Sequence, residues 1–163
     1  MPLHDASPHA GDMEVLSWEG FGQACDDLAQ QVTESGFRPK VVIAIARGGL
    51  LPAGALAYAL GVELVDAINV ERYSDSTQPM PDPVMLAPRL DSASVAGEQI
   101  LIVDDITDSG RTLGLVTRLL RGFGADVRSA VLFSKPNTVF VPDYLWRRTE
   151  GWVRFPWGRG AAE

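Results

Sequence analysis

Hydrophobic positions along the chain fall into two kinds of segment. Short continuous runs, Val41-Val42-Ile43-Ala44-Ile45-Ala46 and Ile100-Leu101-Ile102-Val103, are rich in β-branched residues, and a further strand is expected over 127–134. Runs of that length and composition read as strands buried on both faces, as at the centre of a parallel sheet. Between them lie stretches with helical spacing. Phe21, Ala24, Cys25, Leu28 and Val32 share one face of a helix that Ser17 can cap and that Gly36 and Pro39 stop. Pro52, Leu56, Ala59 and Leu60 mark a second helix ending at Gly61, and Leu113, Val116, Leu120 and Phe123 a third. Further strands are expected over 13–16 and 63–70. Strands that alternate with helices predict an α/β fold with a mainly parallel sheet, right-handed crossovers and helices on both faces.

The pattern dissolves over about 71–98, where Pro79, Pro81, Pro83 and Pro88 stand among Ser, Asp and Gln, with one apolar fragment at 84–87. A loop this long within a compact domain is usually functional or disordered, and it reads as a mobile flap, built as a hairpin, able to cover a site. Pro142, Asp143 and Tyr144 break the pattern again. Gly151-Trp152-Val153-Arg154-Phe155-Pro156-Trp157 then closes the folded part with an aromatic cluster. Residues 1–12 and 158–163 read as tails around a single domain over 13–157.

Composition narrows the function. The 163 residues are 46% hydrophobic and 21% charged, ordinary for a globular domain. Asp plus Glu number 21 against 14 Lys plus Arg, a formal charge of −7, which disfavours nucleic acid and anionic lipid as partners. No run approaches the roughly 18 apolar residues of a membrane span, and no basic-then-apolar signal opens the chain, so a cytoplasmic location is expected. Cys25 is the only cysteine and falls on an apolar helix face, which suits a small core residue. Both histidines, His4 and His9, lie in the first tail. Acid–base chemistry is therefore left to carboxylates, lysine or tyrosine.

The chemistry gathers where two of the buried runs end. After Val103 come Asp104 and Asp105, then a small polar loop, Ile106-Thr107-Asp108-Ser109-Gly110, that opens a helix through Arg111 and Thr112. Backbone N–H groups at such a helix start, with hydroxyls beside them, form a socket for a phosphate. The paired carboxylates suit sugar hydroxyls or a hydrated magnesium ion. After Ala46, Arg47-Gly48-Gly49 repeats the strand, tight turn, helix plan. Taken alone it reads equally as an anion loop or as a plain sharp turn.

The order of strand, Asp-Asp, two residues, Asp, then a Thr/Ser/Gly run resembles the PRPP-binding motif of type I phosphoribosyltransferases. Within that family the chain resembles the bacterial xanthine-guanine enzymes over about 14–157. The resemblance is carried by the Trp18 helix, Ile45-Ala46-Arg47-Gly48-Gly49-Leu50, the PRPP stretch, Phe133-Ser134-Lys135-Pro136 and the segment from Trp152 to Trp157. It implies transfer of ribose 5-phosphate from PRPP to N9 of a 6-oxopurine (guanine, xanthine or hypoxanthine) with release of pyrophosphate, in purine salvage, with Mg2+ as cofactor.

It also implies roles. PRPP would be bound by Arg47, Gly48, Gly49, Arg89, Asp104, Asp105, Thr107, Asp108, Ser109, Gly110, Arg111 and Thr112, with Asp105 toward the metal. Asp108 would be the catalytic carboxylate beside purine N7, a role compatible with its other reading as a helix N-cap. The purine would be held by Lys135 at O6, Trp152 by stacking and the Val153 carbonyl at a 2-amino group, in a hood over about 135–157. From the residues alone, Trp152 would be a core aromatic and Lys135 a surface charge. The family implies a homo-oligomer, dimer or tetramer. Two features depart from it: Arg72-Tyr73 stands where the family has Ser-Tyr, and the late-flap basic pair is reduced to Arg89. The competing expectations are a phosphoribosyltransferase for another nucleobase and a non-catalytic regulator that senses PRPP or nucleotide on the same fold.

Overall fold

The computed structural model describes residues 13–73, 79–85 and 92–158. The expected tail over 1–12, all of the expected 158–163 tail but Gly158, and Arg89 lie outside the described residues. The elements run β1 (Met13–Val15), α1 (Trp18–Glu34), β2 (Val41–Ala46), α2 (Leu50–Leu60), β3 (Leu64–Tyr73), β4 (Pro79–Met85), α3 (Ser92–Val95), β5 (Gln99–Thr107), α4 (Arg111–Gly122), β6 (Asp126–Ser134), β7 (Tyr144–Arg148) and β8 (Trp152–Arg154).

Six strands form the main sheet in the order β4-β3-β2-β5-β6-β7. All neighbours are parallel except β3 and β4, which pair antiparallel; β3 runs only at its end into the segment expected to be a flap, and β4 lies within that segment. The faces are covered as α/β sheets require. On one, Ala24, Leu28 and Val32 of α1 and Ala53 and Leu56 of α2 pack with Leu101, Val103 and Leu132. On the other, Leu113, Val116 and Leu120 of α4 pack with Ile43, Ile100, Ile102 and Val131. Strand β1 pairs in parallel with β8, joining the two ends of the described chain into a small second sheet. Ser17 caps α1, its hydroxyl accepting from the Gly20 N–H at 3.0 Å. Among the described residues no helix is long and apolar enough to cross a membrane.

Three expectations need correction. Strand β5 does not stop at Val103 but continues through the acidic pair to Thr107, because β6 goes on pairing with it as far as Ser134. The segment read as a break after Pro142 contains an edge strand, β7, whose five residues, three apolar followed by two arginines, carry no period-2 pattern that would mark a strand. It is anchored on β6 at Ala130, Val131, Phe133 and Ser134. Helix α4 is capped by Gly110, with no side-chain cap, so Asp108 is not its N-cap.

The hood is tied to the core through aromatic edges. Phe133 is fully buried and meets Trp146 and Phe155 in T-shaped contacts at 5.5 and 5.9 Å. Phe155 in turn stacks on Trp157 at 5.0 Å, and Trp157 meets Phe21 of α1. Phe133→Ala is expected to cost roughly 3–5 kcal/mol, read as a lowered urea midpoint with the slope retained. Cys25 is buried, and burial followed by the nearby Asp26 charge lifts its thiol from 9.0 to about 12. Unfolding returns the thiol to its ordinary range, so its contribution to stability is complete below about pH 9 and declines as pH climbs toward 12. Labelling with a disulfide reagent at mildly alkaline pH should be slow in the folded protein and fast in denaturant.

Candidate active site

Two clefts open at the carboxyl ends of β2, β5 and β6. Strands β2 and β5 are neighbours whose connections leave in opposite directions across the sheet, β2 toward β3 and β5 toward β6. That is the switch point at which open α/β sheets bind ligands.

The first cleft, of about 260 Å3, is lined by Arg47 and Gly48 from the turn after β2, by Asp104 through Gly110, and by Thr112 and Leu113 at the start of α4. Its acidic pair is locally ordered: the Asp105 N–H donates to Asp104 Oδ1 at 2.9 Å, and the Ile106 N–H to Asp105 Oδ1 at 2.7 Å. Successive side chains of a strand face opposite sides, and Asp105 lies against the turn after β2. A methyl group on Gly48 would collide with both of its carboxylate oxygens. Gly49 does not line the cleft; a side chain there would strike the Val103 and Ile45 carbonyls, so this residue lets the turn pack onto the sheet. The Ala46–Arg47 peptide bond is cis.

The phosphate-type loop is clamped from behind. The Val139 N–H donates to the Ser109 carbonyl at 2.8 Å, and Thr138 Oγ1 lies 3.3 Å from Thr107 Oγ1 and donates to the Phe140 carbonyl at 2.9 Å. Gly110 has φ +83° and sits so close to Thr138 and Phe140 that no side chain would fit. Ser109 Oγ accepts from the Arg111 N–H at 3.3 Å. Arg111 is exposed and is not among the lining residues.

The second cleft, of about 810 Å3, is lined by Ile106, Asp108, Lys135, Pro136, Asn137, Glu150, Trp152, Val153 and Phe155. It brings Lys135, Trp152 and Val153 together, and Trp152 is 67% exposed rather than a core residue. The Lys135 ammonium donates to the Glu150 carbonyl at 3.0 Å and to the Gly151 carbonyl. Ile106 and Asp108 line both clefts. Sequence reasoning missed Ile106, Asn137 and Glu150. Phe155 had a signal in the aromatic cluster, whereas Glu150 had none, because nothing local shows that a turn will fold back onto Lys135.

Among the described residues no group of three or more His, Cys, Asp or Glu is placed to hold a metal ion. A pair of carboxylates beside a phosphate-type socket does fit magnesium, which commonly takes one or two carboxylates and fills its shell with phosphate oxygens and water.

A phosphate socket facing an aromatic cleft across one carboxylate, at the switch point of this sheet, defines a nucleotide-forming transferase of the phosphoribosyl type. The phosphoribosyl transferase domain family matches residues 13–163, and the chain belongs to it. It is 34% identical over 148 residues to a xanthine-guanine phosphoribosyltransferase of Cereibacter sphaeroides, covering 90% of this chain and 80% of that protein. The purine phosphoribosyltransferase of Pyrococcus horikoshii superposes with a TM-score of 0.79 at 35% identity, covering 93% of this chain and 97% of the other. The xanthine-guanine-hypoxanthine enzyme of Helicobacter pylori superposes at 0.75 with 25% identity over 89% and 93%.

Gly48 provides a steric test of the first cleft. Gly48→Ala is expected to destabilise by about 1–3 kcal/mol, since the new methyl must displace a carboxylate or the turn. Gly54→Ala, in α2 with open space at its α-carbon, should instead stabilise by about 0.5–1 kcal/mol. Denaturant titrations of the two variants read both signs.

Proposed function

We propose that this chain is a purine salvage phosphoribosyltransferase, transferring ribose 5-phosphate from PRPP to N9 of a 6-oxopurine and releasing pyrophosphate. The observation that carries the reading is that Ile106 and Asp108 line both clefts. A sugar phosphate in the first and a flat base in the second would meet over the Asp108 carboxylate.

In this reading the backbone and hydroxyls from Thr107 to Thr112 cradle the 5′-phosphate, with Arg111 adding positive charge at the rim. The turn with Arg47 and Gly48, shaped by Gly49, faces the pyrophosphate, and Arg89 adds charge from the flap. Asp104 and Asp105 accept from the ribose hydroxyls. Asp105, with Asp104, would hold a magnesium ion, which supplies positive charge against the departing pyrophosphate. As the anomeric carbon exchanges its bond to pyrophosphate oxygen for one to N9, the base gives up a proton that Asp108 accepts near N7. Lys135 donates to O6, favouring oxopurines over adenine, whose 6-amino group is itself a donor. Trp152 stacks on the base and the Val153 carbonyl accepts from a 2-amino group. The exposed side chains of Tyr58, Leu64 and Val65 favour a homo-oligomer, a dimer or tetramer, and the reading as a salvage enzyme places it in the cytoplasm.

The test is pyrophosphate release from PRPP and magnesium with guanine, xanthine, hypoxanthine, adenine and uracil offered separately. Turnover is expected with 6-oxopurines only. Asp108→Asn should lower kcat by about 100-fold or more while PRPP binding persists. Tight PRPP or nucleotide binding without turnover on any base would overturn the catalytic reading in favour of a sensor, and turnover with uracil alone would overturn the choice of base.

A further inference from the structure

The second cleft has a charge pattern that the reading above leaves unused. Its charged lining residues are Asp108, Lys135 and Glu150, two carboxylates against one ammonium. An ammonium has three donors, and two of those of Lys135 go to the Glu150 and Gly151 carbonyls. The lysine therefore pins the turn between β7 and β8 to the end of β6. The Glu150 backbone oxygen lies 3.0 Å from the nitrogen assigned to the purine O6, and Glu150, an exposed residue, lines the same cleft. Among the described residues the ion pairs formed are Lys40–Glu98 and Arg147–Glu14, so none neutralises Glu150. Arg148 and Arg154, on the flanking strands, are exposed and do not line the cleft.

We propose that Glu150 is a specificity-determining residue that selects neutral 6-oxopurines, guanine above all, against the xanthine anion. The inference rests on the purine reading of this cleft. A carboxylate only accepts hydrogen bonds, so it suits the 2-amino group of guanine and opposes a 2-oxo group. The opposition grows when xanthine loses a ring proton, which it does near neutral pH, whereas guanine and hypoxanthine remain uncharged there. Lys135 offsets part of this repulsion, and the lining as a whole carries two carboxylates against one ammonium.

The measurement is the ratio of kcat/KM for guanine to that for xanthine, in wild type, Glu150→Gln and Glu150→Asp. Removing the charge should lower the ratio by roughly three- to tenfold, and Glu150→Asp should preserve most of it. Between about pH 6 and about pH 8.5 the wild-type ratio should climb as xanthine ionises, and the climb should flatten in Glu150→Gln. An unchanged ratio with an unchanged pH slope in Glu150→Gln overturns the proposal. The same ratio read from equilibrium binding of guanosine and xanthosine 5′-monophosphates needs no turnover. Loss of discrimination there in Glu150→Gln supports the role of Glu150 even if catalysis is absent, and equal discrimination by both proteins overturns it even if catalysis is present.

Discussion

The clefts depend on one inequality in the sheet: β5 keeps its pairing with β6 for four residues after its pairing with β2 has ended. Paired with β2 only through Val103 and with β6 through Thr107, the strand carries 104–107 past its neighbour and into the crevice while remaining a strand. A loop in that position would let the two carboxylates wander. Held by β6, Asp104 and Asp105 have their backbone directions set by the sheet, and each accepts from the following N–H. The space vacated on the β2 side is then taken by the turn after Ala46, which approaches closely enough that Gly48 lies against Asp105 and Gly49 against the carbonyls of Ile45 and Val103.

Much of this was legible from residue order. Continuous β-branched runs, helical spacing on α1 and α4 and the Gly-Gly turn identify the sheet, its coverings and the crevice, because burial on both faces leaves a strong one-dimensional signal. The parts that were not legible have tertiary causes. The extension of β5 through two aspartates contradicts local strand preference and is paid for by β6. Strand β7 is short and half-exposed, and its existence depends on Ser134 and Ala130 being available as partners. Asp108 also reads as a helix cap from sequence, but Gly110, with its positive φ, occupies the cap position.

Trp152 and Lys135 show the same limit at the site. A tryptophan in an aromatic cluster is ordinarily core, and two of this cluster's rings, Phe155 and Trp157, do pack together, with Trp157 also against Phe21 of α1. Trp152 departs because β8 pairs with β1 in a two-stranded ribbon separate from the main sheet, leaving it exposed and lining a cleft instead of inside a layer. Which of several aromatics remains exposed is decided by that remote pairing, not by neighbours in sequence.

The two clefts are parts of one rigid construction. The segment after β6 serves both: the Lys135 N–H donates to the Thr107 carbonyl, and the Val139 N–H donates to the Ser109 carbonyl. The Lys135 side chain meanwhile holds the Glu150 and Gly151 carbonyls on the opposite wall. Asp108 lies between residues bonded to this segment on either side, so its position relative to Lys135 is set by backbone hydrogen bonds rather than by its own exposed side chain. Reactions that join two substrates gain most from such fixed geometry, since misplacement of one partner forfeits the advantage of binding both. Here a displacement of 135–139 would shift the wall of one cleft and the loop of the other together. The alignment of the clefts across Asp108 therefore depends on the same few hydrogen bonds that hold the loop against its clamp.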